Sequence, residues 1–300
     1  MKIFVLFVFL FSCSITYSQS GITPNNLPPG EIIKYSKPLS TYLGTYFNTG
    51  SYYNANVRDG FGFKFSIVGM WTNIPEDQKT FIPEPGVEGI GELPPTATIF
   101  GDKASYFVSE YGYFTYPTGL ALKSIPLGIY QAAFSYFNTE VMFKYFPKSN
   151  FDKANFGLLG FGIKHEISSH FPGLPVDISL QLLVNNSDAE YKGDEVDQYA
   201  KIKNNNFAIN AHVSKTFEDI FIVYSGFQFE SSSMDLTYYF NENNDYFGEQ
   251  GQINQQVDVD AENKFRFTLG GAVKLGFFVF NADINLTKYT TFSSGISFDF

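Results

Sequence analysis

The sequence is poor in cysteine, in positive charge and in long apolar runs. Its one cysteine, Cys13, has no partner for an intramolecular disulfide. The 30 acidic residues outnumber 20 basic ones, and the formal net charge of −10 argues against a nucleic-acid partner, because phosphate binding needs a basic surface. No apolar run reaches the roughly 18 residues of a membrane-spanning helix. Aromatic residues are abundant, at 19%, yet the mean hydropathy is only −0.09, so apolar and polar residues must be interleaved.

The first eighteen residues have the pattern of an export signal. Lys2 supplies a positive charge, residues 3–11 are apolar, and small residues at the −3 and −1 positions predict cleavage before Gln19. The apolar stretch is too short to cross a bilayer. A lipoprotein signal acylated at Cys13 is the alternative, although Phe11 fits that motif poorly. We therefore expect a signal peptide over 1–18 and export in a Gram-negative cell, ending in a soluble protein or an outer-membrane β-barrel.

Alternation of apolar and polar residues predicts ten amphipathic β-strands. Phe280, Ala282 and Ile284, for example, alternate with Asn281 and Asp283. Segments of about ten residues are long enough for tilted strands to cross a bilayer. We predict an all-β fold, a transmembrane antiparallel up-and-down barrel of 10–14 strands over residues 60–300, with a soluble all-β protein as the alternative. The predicted strands are 60–71, 126–134, 139–146, 156–168, 174–186, 202–216, 219–231, 262–275, 276–287 and 290–300.

The lengths of the connections support this count. Bacterial barrels have an even number of strands, with short turns on the periplasmic side and longer loops outside. Short connections at 135–138, 169–173 and 217–218 fall on one side of the predicted barrel. Longer connections fall on the other side, at 72–125, 147–155, 187–201 and 232–261. Twelve or fourteen strands stay open, because 72–125 has room for one or two hairpins, for example around 106–116.

Residues 19–59 lie outside the strand count and have no clean period. They are expected to form an N-terminal plug in the lumen, a periplasmic segment or an extra strand.

The chain ends on an alternating strand with an aromatic last residue. The four positions that carry the pattern are Ser293, Gly295, Phe298 and Phe300. This spacing resembles the C-terminal signal by which outer-membrane barrels are recognised for insertion. An edge strand that happens to end in phenylalanine is the alternative. As partners, the pattern predicts outer-membrane lipid and the barrel-assembly machinery.

Charges alternate with the apolar residues of the predicted strands and are expected to face the lumen of a barrel. Cations and anions there could pair and close the barrel, or line a polar conduit. The lack of a sign bias argues against an ion-selective pore. The expected lumen-facing residues are Lys64, Glu140, Lys144, Lys164, Glu166, Asp177, His212, Arg266, Lys274, Asp283 and Asp299.

Catalysis and metal binding have only weak signals. His212 lies between Asn210 and Ser214 on the polar face and is the best candidate base for a hydrolase, whereas His165 and His170 fit a strand end and a turn. A histidine in an ordinary polar lining is the alternative for His212. We expect no catalytic residue and no cofactor. An acidic loop contains one weak candidate for a hard cation such as calcium, or is simply solvated: Asp258, Asp260 and Glu262.

Three stretches, 43–75, 126–148 and 160–181, resemble a domain-of-unknown-function family of predicted outer-membrane barrels from Bacteroidota, which implies the fold and compartment but no activity. The layout is more distantly similar to outer-membrane transporters of fatty acids and hydrocarbons, which implies an N-terminal hatch. The preferred function is passive passage of a small solute, and a hydrophobic molecule is one candidate for that solute. A closed structural barrel that anchors surface loops or a periplasmic partner is the alternative, and a lipid hydrolase comes third.

Overall fold

A computed structural model describes residues 28–84, 93–109, 112–151, 154–192, 198–240 and 255–300. These ranges contain one α-helix, α1 (Pro29–Phe47). The long strands are β1 (Gly62–Asn73), β6 (Ser124–Tyr136), β7 (Thr139–Phe151), β8 (Ala154–Glu166), β9 (Asp177–Lys192), β10 (Gln198–Phe217), β11 (Phe221–Phe240), β13 (Phe265–Leu275), β14 (Phe278–Leu286) and β15 (Thr291–Asp299). The short strands are β2 (Thr80–Phe81), β3 (Thr96–Ala97), β4 (Tyr106–Ser109), β5 (Gly112–Thr115) and β12 (Gln255–Asp260).

The ten long strands close into an antiparallel barrel. Their order around the wall is β1–β6–β7–β8–β9–β10–β11–β13–β14–β15, and β15 pairs with β1. The backbones of Phe63 and Phe300 exchange hydrogen bonds of 3.1 and 2.9 Å where the ring closes. The predicted all-β barrel is therefore confirmed, with ten strands. We call the end that carries Phe300 the terminal end and the opposite end the far end.

The described residues of the connection between β1 and β6 add no strand to the wall. Strands β4 and β5 form the hairpin expected around 106–116, and β2 pairs only with β3. Both pairs are separate two-stranded sheets. With at most four residues each, these strands are too short to cross a bilayer, which takes about nine to eleven residues. The options of twelve and fourteen strands are therefore wrong.

The wall has an apolar outer face in its terminal half. On β11, Phe227 and Phe229 point outward and are exposed, whereas Gln228 and Glu230 between them are buried in the interior. The same alternation runs through the neighbouring strands, with Ile209 of β10 exposed and Asn210 buried. A single pleat thus gives each strand one face for an apolar environment and one for a polar interior.

The polarity of the two faces reverses toward the far end. On β11, Met234 and Tyr238 are buried apolar residues of the interior, and Ser233 and Asp235 lie on the outer face. Strands β9, β10 and β11 continue as paired strands through this region. The predicted loops at 187–201 and 232–261 are therefore wrong over much of their length. The predicted strands end where the outer face changes from apolar to polar, because the alternation expected of a membrane-facing strand ends there.

Helix α1 lies inside the barrel and packs against strands on several sides. Pro29 stands at its first turn, where a missing N–H costs nothing, and Glu31 complements the positive end of the helix dipole. The hydroxyls of Tyr42 and Tyr46 donate to backbone carbonyls of the wall at 2.8 and 3.0 Å. Nearly every residue after Pro38 is buried, so the helix has no polar stripe and its sequence shows no period. No helix among the described residues is long and apolar enough to cross a membrane.

Candidate functional site

The polar part of the interior, in the terminal half, is organised around a buried carboxylate. The carboxylate of Glu140 on β7 forms ion pairs with the Nζ of Lys64 at 2.8 Å and with the Nζ of Lys164 at 3.2 Å. These three groups come from three different strands, and their side chains are at most 13% exposed. Buried charges are stable only when they are paired in this way. The cluster therefore ties β1, β7 and β8 together across the lumen.

Other interior carboxylates bind the extended chain at 48–59, which follows α1 down the lumen. Glu166 accepts a hydrogen bond of 2.6 Å from the Val57 N–H, and Asp299 accepts one of 2.6 Å from the Tyr53 hydroxyl. Asp283 instead accepts from Tyr224 at 2.8 Å, within the wall. Two further residues of the predicted lumen set, Asp177 and Lys274, are half-buried near strand ends.

Two buried cations hold the carboxyl end of α1 from different sides of the barrel. Lys144 of β7 donates to the carbonyls of Phe47 and Thr49 at 2.9 and 3.2 Å. Arg266 of β13 donates to the Thr45 carbonyl at 2.7 Å and pairs with Glu230 at 2.8 Å. The last carbonyls of a helix lack partners within the helix and carry partial negative charge, so a buried cation stabilises them. These contacts fix the height of α1 in the lumen.

His212, the candidate base, lacks the partners of a catalytic residue among the described residues. His212 is buried, with its ring stacked on Tyr52 at 4.0 Å between centroids. Neither ring nitrogen has a hydrogen-bond partner among the described residues. A hydrolase needs a nucleophile and an orienting group within reach of the base. His165 and His170 instead hydrogen-bond each other through Nε2 at 2.9 Å, at the terminal end.

The acidic residues considered for a cation do not converge. Asp258 and Asp260 point outward from β12 and are exposed. Glu262 binds Lys37 of α1 at 3.1 Å and also pairs with Lys288. Within the described ranges, no group of three or more histidine, cysteine or acidic side chains is placed to hold a metal ion.

A seam without backbone pairing opens in the wall between β6 and β7. Their register runs from Tyr136 opposite Thr139 to Tyr130 opposite Tyr145 and ends there, although both strands continue toward the far end. Just beyond, Pro147 and its neighbour form a β-bulge against β8. Proline has no N–H to donate, and a bulge bends its strand, so the two strands part.

A cavity of about 850 Å³ reaches from this seam across β6, β1, β15 and β14. Its lining includes outward-facing residues of the neighbouring strands, among them Trp71 and Gly128, and the interior residues Leu127, Phe146 and Phe156. Both faces of the wall thus contribute to one apolar cavity. Prediction from sequence missed this site, and the signal that could have found it is Pro147 within a strand pattern.

Small residues deepen the outer part of the cavity. Gly128, Gly69, Ser294 and Ala282 stand opposite one another on four consecutive strands. All four line the cavity, and rings such as Trp71 stand beside them. A row of residues without bulky side chains leaves a shallow trough across an otherwise aromatic surface.

The four residues of the C-terminal pattern occupy both faces of the last strand. Ser293 and Gly295 face inward and are buried, whereas Phe298 is half-exposed on the outer face. Phe300 is exposed and its ring stacks on Phe277 at 5.3 Å. Recognition by an assembly machinery stays a prediction.

Comparison with solved structures finds β-barrels of low similarity. The translocator domain of the autotransporter NalP from Neisseria meningitidis is 8% identical over 90% of this chain and 96% of that chain, with a TM-score of 0.30. The Ralstonia pickettii toluene transporter TbuX is 9% identical over 82% of this chain and 91% of that one, with a TM-score of 0.26. A mutant of the Rh. blastica porin is 11% identical over 80% and 99%, with a TM-score of 0.16.

These values are too low to carry an inference about activity. A sequence search of curated proteins finds no match. A family of unknown function, DUF6588, matches residues 1–300, and the chain therefore belongs to that family.

Proposed function

We propose that this protein is an outer-membrane β-barrel that passes a small apolar solute through the side of its wall, not through an open aqueous pore. The cavity that reaches the β6–β7 seam carries this proposal, because its lining combines outward-facing residues of the wall with the interior residues Phe146 and Phe156.

The outer surface supports insertion in a membrane. Large apolar side chains such as Phe143, Phe161 and Phe267 are 44–46% exposed on the outer face of the terminal half. Soluble proteins rarely expose apolar patches of more than a few hundred Å². A bilayer satisfies such a band, and the predicted export signal brings the chain to the outer membrane.

The filled lumen argues against a water-filled pore. Helix α1 occupies the far half and residues 48–59 the terminal half, and both are tied to the wall by hydrogen bonds from backbone and side chains. A solute that crosses without displacing these segments needs another route. The seam offers one.

The lining of the cavity selects the class of solute. Its volume lies within the roughly 300–1,000 Å³ typical of small-molecule sites. Asp283 is the charged residue of the lining, and its carboxylate already accepts from Tyr224 and Ser293. The remaining lining is apolar, glycine or serine, so a neutral, largely apolar molecule fits and an ion does not.

The test uses the single tryptophan of the chain, Trp71, which lines the cavity. Energy transfer from Trp71 to the apolar dye N-phenyl-1-naphthylamine is measured in the refolded mature protein in nanodiscs. Gly128→Leu should abolish the saturable part of the transfer, because a Cβ at this position meets no atom closer than 3.8 Å and the leucine fills the cavity. Gly271→Leu is the matched control, since it faces outward in the same row but outside the cavity.

Saturable transfer that survives in Gly128→Leu, or is missing from the parent protein, would refute the proposal. The second result would favour the rival function of a closed barrel that anchors surface loops or a periplasmic partner. The observation that favours this second function is the filled lumen, which is expected both for a lateral route and for a permanently closed barrel.

A further inference from the structure

The N-terminal segment crosses the barrel once, in a direction that the contacts of α1 define. The helix begins at the far end, where the Tyr116 hydroxyl donates to Glu31 at 2.9 Å and the Tyr35 hydroxyl donates to the Thr118 carbonyl at 2.8 Å. Both partners belong to the far-end connection between β1 and β6. Pro28 and the first residues of α1 are exposed there. The helix therefore enters the lumen from the far mouth.

The other end of the segment reaches the terminal mouth. After the carboxyl end of α1 is held by Lys144, the chain runs on past Tyr53, which binds Asp299 of the last strand. The Asp59 carbonyl accepts from Phe137, in the tight turn between β6 and β7 at the terminal end. Strand β1 begins three residues later beside Phe300.

The orientation of the barrel gives these two mouths their compartments. Bacterial outer-membrane barrels have both ends of the strand array and their short turns in the periplasm. Here the terminal end has the two-residue turn at Phe137–Asn138 and the turn before β11. The far end has the long connection between β1 and β6. The far mouth then opens to the cell exterior.

We propose that the barrel displays the amino end of α1 on the cell surface. The chain at Pro28 and Gly30 then faces the cell exterior, and residues 29–59 lead back through the lumen to the periplasmic start of β1. The 19-residue helix alone spans about 28 Å of the lumen, at 1.5 Å per residue. This inference rests on the proposed outer-membrane location and on the direction of the chain, but not on solute passage.

Display of the amino end has a physical consequence for the fold. Helix α1 must enter the lumen while the barrel forms, because its buried contacts with the wall can be made only inside the barrel. Glu31 is 1% exposed and Lys144 is 1% exposed, at opposite ends of the helix, so both ends are fixed once the barrel is complete. The barrel thus holds a translocated segment of its own chain in place.

Two glycines at the ends of this segment provide a matched pair of cysteine variants. A Cβ built on Gly30 or on Gly60 meets nothing within 4 Å, so neither substitution disturbs the fold. Both residues are exposed, Gly30 at the far end and Gly60 at the terminal end. The chain from Gln19 onward contains no other cysteine.

Intact cells that express each variant are treated with a 5-kDa polyethylene glycol maleimide, which does not cross the outer membrane. Gly30→Cys should be labelled on intact cells, and Gly60→Cys only after the outer membrane is permeabilised. Heat-modifiable mobility on a gel confirms that both variants are folded. Labelling of Gly60→Cys on intact cells, or protection of Gly30→Cys until permeabilisation, would overturn the proposal. So would a Gly30→Cys thiol that stays unlabelled in both conditions.

Discussion

Removal of one charge from a buried ion pair should destabilise this barrel far more than removal of one charge from an exposed ion pair with the same N···O distance. The Glu230–Arg266 pair has an N···O distance of 2.8 Å, with side chains 3% and 1% exposed. The Lys148–Asp188 pair has the same distance of 2.8 Å, with side chains 56% and 44% exposed. Burial is therefore the main difference between them.

The expected magnitudes follow from that difference. Glu230→Gln leaves the Arg266 guanidinium buried with neutral partners, including the Thr45 carbonyl and the Thr49 hydroxyl, and should cost about 3–5 kcal/mol. Asp188→Asn removes an exposed pair that water and salt already screen, and should cost about 0–1 kcal/mol. A double variant, Glu230→Leu with Arg266→Met, should lose less stability than Glu230→Gln, because no buried charge is left unpaired.

The assay is a urea titration of folding in phospholipid vesicles, followed by the fluorescence of Trp71. Refolding and unfolding branches must coincide for the free energy of unfolding to be defined. A cost for Glu230→Gln that does not exceed that of Asp188→Asn would refute the reasoning. It would mean that water reaches Arg266 and screens it, so that α1 and the wall do not form the dry contact described.

Three further outcomes follow from the same structure. The intact mature protein should show no steady conductance steps in a planar bilayer, because residues 29–59 fill the lumen; regular steps would contradict this. Gly270→Ala should cost about 1–3 kcal/mol in the urea titration, since its Cβ would come within 2.4 Å of the Tyr224 ring, whereas Gly271→Ala should stay within about 0.5 kcal/mol. Phe300→Ala should lower the folded fraction in the outer membrane more than Phe292→Ala, an exposed phenylalanine of the same strand; equal yields would argue against a terminal signal.

The wall of the barrel was predictable because its environment imposes a simple rule. A strand with an apolar outer face and a polar lumen must alternate with period two, and β14 at Phe278–Leu286 falls within the predicted 276–287. The rule fails where the environment changes. In β10, Ile202 is buried in the interior and Lys203 points outward, the reverse of Asn210 and Ile209. An alternation whose phase inverts within one strand looks like the end of that strand.

The candidate site was less predictable, for two physical reasons. A helix enclosed on all sides has no polar face, so α1 left no period in the sequence. The seam depends on which residues stand opposite each other on β6 and β7, and this register is a property of the assembled sheet. Pro147 marks the position but does not by itself distinguish a bulge in a closed wall from an opening.

The inverted polarity of the far end indicates that α1 is a permanent part of the fold and not a removable plug. There Met234 of β11 and Val257 and Val259 of β12, which pairs with β11, face inward and pack in one buried cluster with Leu39 and Leu43 of α1. An empty lumen at this level would expose that apolar lining to water, at a cost of about 25 cal/mol per Å². The far half of the barrel is thus a small hydrophobic core with the helix at its centre, and the helix is part of the fold. A route that leaves α1 in place, through the seam at Pro147, avoids that cost.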